Sequence, residues 1–129
     1  MSDKKTVAID FDGVLAEFDG WNGPDHMGEL IREHHPKFYL EKLRERGFYI
    51  IIYTCRSELE PVRDFLGRHS IPWDSINGNP YEPEGVSEKK IYADYYIDDR
   101  FPGFESLGMS VCDLLCEEGF SIGEVYFDE

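Results

Sequence analysis

Aspartates carry the candidate chemistry of this sequence. Asp10-Phe11-Asp12-Gly13-Val14 sets two carboxylates two residues apart at the end of an apolar run, so their side chains can point the same way. Such a pair suits a nucleophile and an acid/base partner, although a lone D-x-D is also common as a solvated turn. A second pair, Asp98-Asp99, also follows an apolar run, with Lys90 upstream; on its own it reads as a solvated strand end or helix cap. At about 4 Å, two unit charges in a partly buried site repel by roughly 4 kcal/mol at an effective dielectric near 20. Converging carboxylates and an anionic substrate therefore need a counter-charge. Magnesium fits that need, because it takes hard oxygen ligands and commonly bridges carboxylates to phosphate. Asp10, Asp12, Asp98 and Asp99 are the candidate ligands.

Thr54 follows the bulky run Tyr49-Ile50-Ile51-Ile52-Tyr53 and is well placed as a hydroxyl donor. Arg56 and Arg100 lie just beyond two strand ends, where either suits a bidentate grip on a second substrate anion or a salt bridge to the many acidic residues. Cys55, between Thr54 and Arg56, has no histidine near it in sequence and is expected to be a buried structural cysteine. Asp94 is expected to be structural or supporting, Trp21 to anchor its own loop, and the four histidines, His26, His34, His35 and His69, to lie on surface or helix faces.

Three strands have to deliver these groups. Thr6 to Asp12, Phe48 to Thr54 and Tyr92 to Asp99 are short apolar runs ending in polar residues, as buried parallel strands do when they feed an active-site edge. Between the first two, Met27, Leu30, Ile31 and His34 follow helical spacing, and Pro36 suits the start of a second helix carrying Leu40 and Leu43, which Gly47 ends. After the second strand, Val62, Phe65, Leu66 and His69 repeat at helical spacing behind a start signal from Ser57 to Pro61. A short strand near Trp73 to Ile76, a helix from Val111 to Cys116 before Gly119 and an edge strand at Val125 to Phe127 complete the reading. Residues 19–24 and 77–87 read as loops. The order predicts an α/β fold: a three-layer open parallel sheet flanked by helices, with ligands at the carboxyl ends of the strands.

The chain of 129 residues, 41% hydrophobic and 15% aromatic, is sized for a single domain spanning 1–129. Its 13 basic against 27 acidic residues give a formal charge of −14, which disfavours nucleic-acid backbones and anionic membranes. Three cysteines without paired metal-ligand motifs, and no signal-peptide or membrane-spanning run, point to the cytoplasm.

Taken together, the motifs resemble the haloacid dehalogenase superfamily of phosphohydrolases: Asp10-Phe11-Asp12-Gly13-Val14, Thr54, a lysine near Lys90, and Asp98-Asp99, covering residues 7 to 100 in the expected order. The resemblance implies a Rossmann-like core in which Asp10 attacks phosphorus and Asp12 protonates the leaving oxygen, then activates water. It implies that Thr54 and Lys90, or the adjacent Lys89, hold the phosphoryl oxygens. Magnesium would bind Asp10, the backbone carbonyl of Asp12 and one of Asp98 and Asp99. Members usually carry a cap domain; here both insertion points look nearly empty, so the chain is expected to be capless, which leaves room for a bulky substrate or a homo-oligomeric partner closing the site. The expected substrate is a small phosphorylated molecule. The rivals are a phosphotransferase, a phosphonate or haloacid hydrolase on the same scaffold, a degenerate binding protein, and a non-catalytic magnesium- and phosphate-responsive module of receiver type.

Overall fold

The computed structural model describes residues 4–18, 27–81 and 91–120. Lys89, Lys90, Trp21, His26 and the expected strand at Val125 to Phe127 lie outside the described residues.

Four parallel strands form one sheet: β1 (Thr6–Asp10), β2 (Tyr49–Tyr53), β3 (Ser75–Ile76) and β4 (Tyr95–Ile97), in the order β3-β2-β1-β4. β1 is wholly buried and β-branched residues dominate it and β2, which suits strands packed on both faces. β1 pairs with β2 on one side, Thr6 opposite Tyr49 through Asp10 opposite Tyr53, and with β4 on the other, Val7 opposite Tyr95 through Ile9 opposite Ile97. The chain thus leaves β1 toward both neighbours, and the crevice at its carboxyl end is the place where open α/β sheets bind ligands.

Helices α1 (Pro36–Glu45), α2 (Glu60–Arg68) and α3 (Leu107–Glu117) flank the sheet. Pro36 occupies the first turn of α1, where its missing N–H costs nothing, and Tyr39, Leu40 and Leu43 are its buried stripe. Gly47, at a φ of 88°, ends it, its N–H donating to the Arg44 carbonyl. α3 starts at Ser106, whose hydroxyl accepts from the Met109 N–H at 3.1 Å, four residues earlier in its helical span than the sequence predicts. Gly108 and Ser110 weaken the helical signal there, and burial of Leu107 and Val111 outweighs it. The main core joins the helices to Val7, Ile9, Ile50, Ile52 and Ile97; the alternate residues Ala8 and Ile51 form a smaller cluster with Ala93 on the opposite face.

Met27 to His34 departs from the helix its spacing predicts. The segment runs alongside residues 15–17, with the Glu17 N–H donating to Glu29 and the Ile31 N–H to Leu15, and only Arg32–His34 forms a short 3-10 turn. Gly28 permits the approach, since a Cβ there would lie 1.8 Å from the Glu17 carbonyl oxygen. Cross-chain backbone bonds override the local period. The strands also stop earlier than predicted, so Asp12, Thr54, Asp98 and Asp99 sit just past the ladder. Among the described residues, no helix is long and apolar enough to cross a membrane, and neither cap insertion point holds an inserted domain.

Aspartates also tie the opposite end of the sheet. Asp94 Oδ2 accepts from the Thr6 N–H at 2.8 Å and from its hydroxyl at 3.0 Å, and Asp74 Oδ2 accepts from the Ile50 N–H at 2.7 Å. Thr6 is buried, so removing its acceptor strands two polar groups. Asp94→Ala is expected to lower unfolding free energy by about 1–3 kcal/mol in urea melts, and Asp94→Asn, which keeps an acceptor oxygen, by less.

Candidate functional site

Asp10 is the last residue of β1, and the alternation of strand side chains turns it to the same face as Tyr53, its register partner on β2, and Asp98, the residue after β4. One carboxylate oxygen from each of Asp10, Asp98 and Asp99 lies within 4.8 Å of the others. Asp10 and Asp98 are buried and Asp99 is exposed. This acidic triad can hold a metal ion, and its all-oxygen donor set favours a hard cation.

Crowding leaves its mark on Asp10, Asp98 and Tyr53. Burial, and then the negative charge of Asp98 and Asp99, push the Asp10 carboxyl up to about 7, although Arg100 pulls the other way. Burial by itself would raise Asp98 too. Hydrogen bonds from Arg100 and from the Tyr53 hydroxyl, the latter at 2.6 Å, outweigh it and hold Asp98 down at about 2. Burial and the bond to Asp98 push the Tyr53 phenol well above its ordinary value. The site is therefore split between a carboxylate that stays charged and one poised to take a proton when no cation is present.

Past β1 the chain turns sharply, and the Phe11 carbonyl accepts from the N–H groups of Leu15 at 3.0 Å and Ala16 at 3.1 Å. Gly13 sits in that turn at a φ of 93°, and a Cβ there would lie 2.3 Å from Asp99 Oδ2. Glycine is required twice over, for the backbone and for the room given to Asp99. Asp12 points into the same cleft as Asp10, as expected. Its carboxylate is gripped by Arg56, whose Nε and Nη2 each lie 2.9 Å from a different oxygen.

The structure separates the two arginines that the sequence treats alike. The Arg56 side chain is 5% exposed and committed to Asp12, whereas Arg100 is 70% exposed while contacting Asp98 at 3.2 Å. Arg56 is thus neither a surface salt bridge nor a free grip for a substrate anion. Both line the cleft, of about 570 Å³, together with Asp10, Asp12, Asp99, Phe18, Cys55 and Ser57. Cys55 corrects the expectation of a buried cysteine, because it is exposed at that cleft. Thr54 stands at the β2 tip; its hydroxyl accepts from the Arg56 N–H at 3.1 Å, and a hydroxyl that accepts still has a proton to donate. The Asn77 side chain clamps the Thr54 backbone, accepting from its N–H at 2.9 Å and donating to its carbonyl at 3.1 Å.

Sequence reasoning missed Tyr53, Asn77 and Phe18. Only Tyr53 left a signal, a phenol at the strand end that lies beside the first acidic pair once the strands pair in parallel. Asp94 proves structural, at the far end of the sheet.

No protein-family model matches the chain, and no curated protein matches it. Among solved structures it is similar to a conserved protein from Bacteroides thetaiotaomicron, with a TM-score of 0.64 and 23% identity over 98% of this chain and 100% of that one. That similarity shows the fold. A chain of the Pnkp1/Rnl/Hen1 complex is similar at a TM-score of 0.46 and 17% identity over 92% of this chain and 36% of that one, too distant to bear on the site.

Two outcomes follow from the electrostatics. Between pH 3.8 and about 7, metal-free folded protein keeps a proton on Asp10 that the unfolded chain has lost, so the folded state binds more protons and stability falls as pH rises. In urea melts with chelator, the wild type is expected to lose up to about 1.4 kcal/mol per pH unit across that window relative to Asp10→Asn, and saturating divalent cation to remove the difference. Tyr53→Phe takes the phenol from Asp98 and is expected to weaken the binding of a hard divalent cation, measured by calorimetry, about 10-fold.

Proposed function

We propose that this chain is a magnesium-dependent phosphomonoester hydrolase that works through an aspartyl phosphate on Asp10. The observation that carries this reading is the placement of Asp10 at the β1 tip, within 4.8 Å of Asp98 and Asp99 and sharing a cleft with Asp12. Asp10, Asp98 and Asp99, with the Asp12 backbone carbonyl, are the residues that would hold magnesium. The ion would supply positive charge to offset the carboxylates and the substrate phosphoryl group.

The chain's own groups account for the rest. An Asp10 oxygen forms a bond to phosphorus as the ester P–O bond breaks; the electron pair passes to the leaving oxygen, which takes a proton from Asp12. Water then attacks the phosphoaspartate, giving its proton to Asp12, and the Asp10–phosphorus bond breaks to release inorganic phosphate. Thr54 and Arg100 offer donors to phosphoryl oxygens, and Lys90 is assigned the same task by its place in the sequence pattern. The acidic surface suits a small phosphorylated substrate over a polynucleotide.

Hydrolysis of a generic aryl phosphate with and without magnesium tests the reading. Turnover at saturating substrate, which includes the phosphoaspartate hydrolysis that Asp12 assists as base, is expected to need magnesium, to fall by about 10⁴-fold or more in Asp10→Asn, and by about 10²–10⁴-fold in Asp12→Asn. A folded, magnesium-binding protein that accumulates a stable phosphoaspartate without turnover would support the receiver-like alternative instead.

A further inference from the structure

Arg56 has no role in the reaction as described so far, yet it is among the few buried charged residues of the described chain segments. Its fork spans both oxygens of Asp12, and the pair sits inside the cleft wall, 5% exposed at Arg56 and 19% at Asp12. The residue is held at two further points. Its guanidinium carbon lies 6.0 Å from the centre of the Phe11 ring, and its backbone N–H donates to the Thr54 hydroxyl at 3.1 Å. Phe11 is itself fully buried and packed edge-on against Phe65 at 5.2 Å. Arg56 is therefore a braced group, with its Nε donor and one Nη2 donor committed to Asp12.

A carboxylate oxygen has two acceptor positions. The fork takes one on each oxygen of Asp12 and fixes the plane of the carboxylate, leaving the other positions for the cleft that Asp12 shares with Asp10. An unbraced aspartate would rotate about its side-chain bonds, and proton transfer needs a heavy-atom approach of about 2.6–3.2 Å.

We propose that Arg56 is a positioning residue for the leaving-group proton: it aims Asp12 at the ester oxygen and does not grip the substrate. This inference rests on the phosphatase reading above. In the step concerned, the Asp10–phosphorus bond forms, the ester P–O bond breaks, and the Asp12 proton moves to the departing oxygen. A nitrophenolate departs without that proton, whereas a simple alkoxide does not. Misaiming Asp12 therefore harms alkyl esters selectively.

The test compares kcat/KM, which reports the steps up to loss of the leaving group, for p-nitrophenyl phosphate and β-glycerophosphate with saturating magnesium. Arg56→Lys keeps the charge without the fork, and Arg56→Gln keeps a planar donor. In whichever variant is folded, the alkyl ester is expected to lose about 10²-fold and the nitrophenyl ester only a few-fold, the same pattern as Asp12→Asn. The double variant Asp12→Asn/Arg56→Lys is expected to lose no more than Asp12→Asn alone. Equal losses for both esters, additive losses in the double variant, or loss of the fold in both Arg56 variants would overturn the proposal. A wild type inactive on both esters fails the phosphatase reading itself, a result distinct from the selective pattern.

Discussion

Negative charge drawn together at the tip of one strand is the constraint around which the rest of the molecule is arranged. At about 4 Å, each pair of carboxylates repels by roughly 4 kcal/mol at an effective dielectric near 20, and burial makes each charge costlier still. The fold answers locally. Asp98 is stabilised by Arg100 and Tyr53, Asp12 by Arg56, and Asp10 is left as the undercompensated member. An arrangement that leaves one buried carboxylate in want of a cation is poorly suited to bare stability and well suited to binding one.

Such an arrangement stands only on a stiff frame. β1 is paired on both sides, so its tip cannot swing, and the partners that carry Tyr53 and Asp98 are held in register beside it. At the far end, Asp94 and Asp74 close the open N–H groups of β1 and β2, which ties the loops before β4 and β3 to the sheet. Beneath the site, Phe11 and Phe65 fill the core directly under the turn that holds Asp12. Packing on one side of that turn and charge on the other leave little freedom between them.

Among the described residues, nothing closes over the cleft. Half-exposed Phe18 and the Arg100 side chain stand at its edge, and among the described residues no inserted domain covers it. Among the described residues, the walls of the cleft are formed by the strand ends and the segments that follow them. Two of the groups at those walls are braced by a second side chain, Asp12 by Arg56 and Thr54 by Asn77.

Much of this architecture was legible in the sequence, because it follows from local pattern. Apolar runs ending in polar residues identify β1, β2 and β4, Pro36 and Gly47 bracket α1, and D-x-D-G with a distant Asp-Asp marks the candidate site. What failed were features settled by contacts far apart in the chain. Met27 to His34 has helical spacing but satisfies its backbone against residues 15–17, and Cys55 reads as buried but faces the cleft. Arg56 and Arg100 are equivalent in sequence, each just past a strand end; only parallel pairing puts one against Asp12 inside the wall and the other against Asp98 in solvent. Periodicity and residue chemistry are properties of neighbours along the chain, so the sequence by itself determined the strands, the order of the acids and their meeting edge. Charge pairing, burial and proton affinity depend on neighbours in space, and those only the tertiary structure decided.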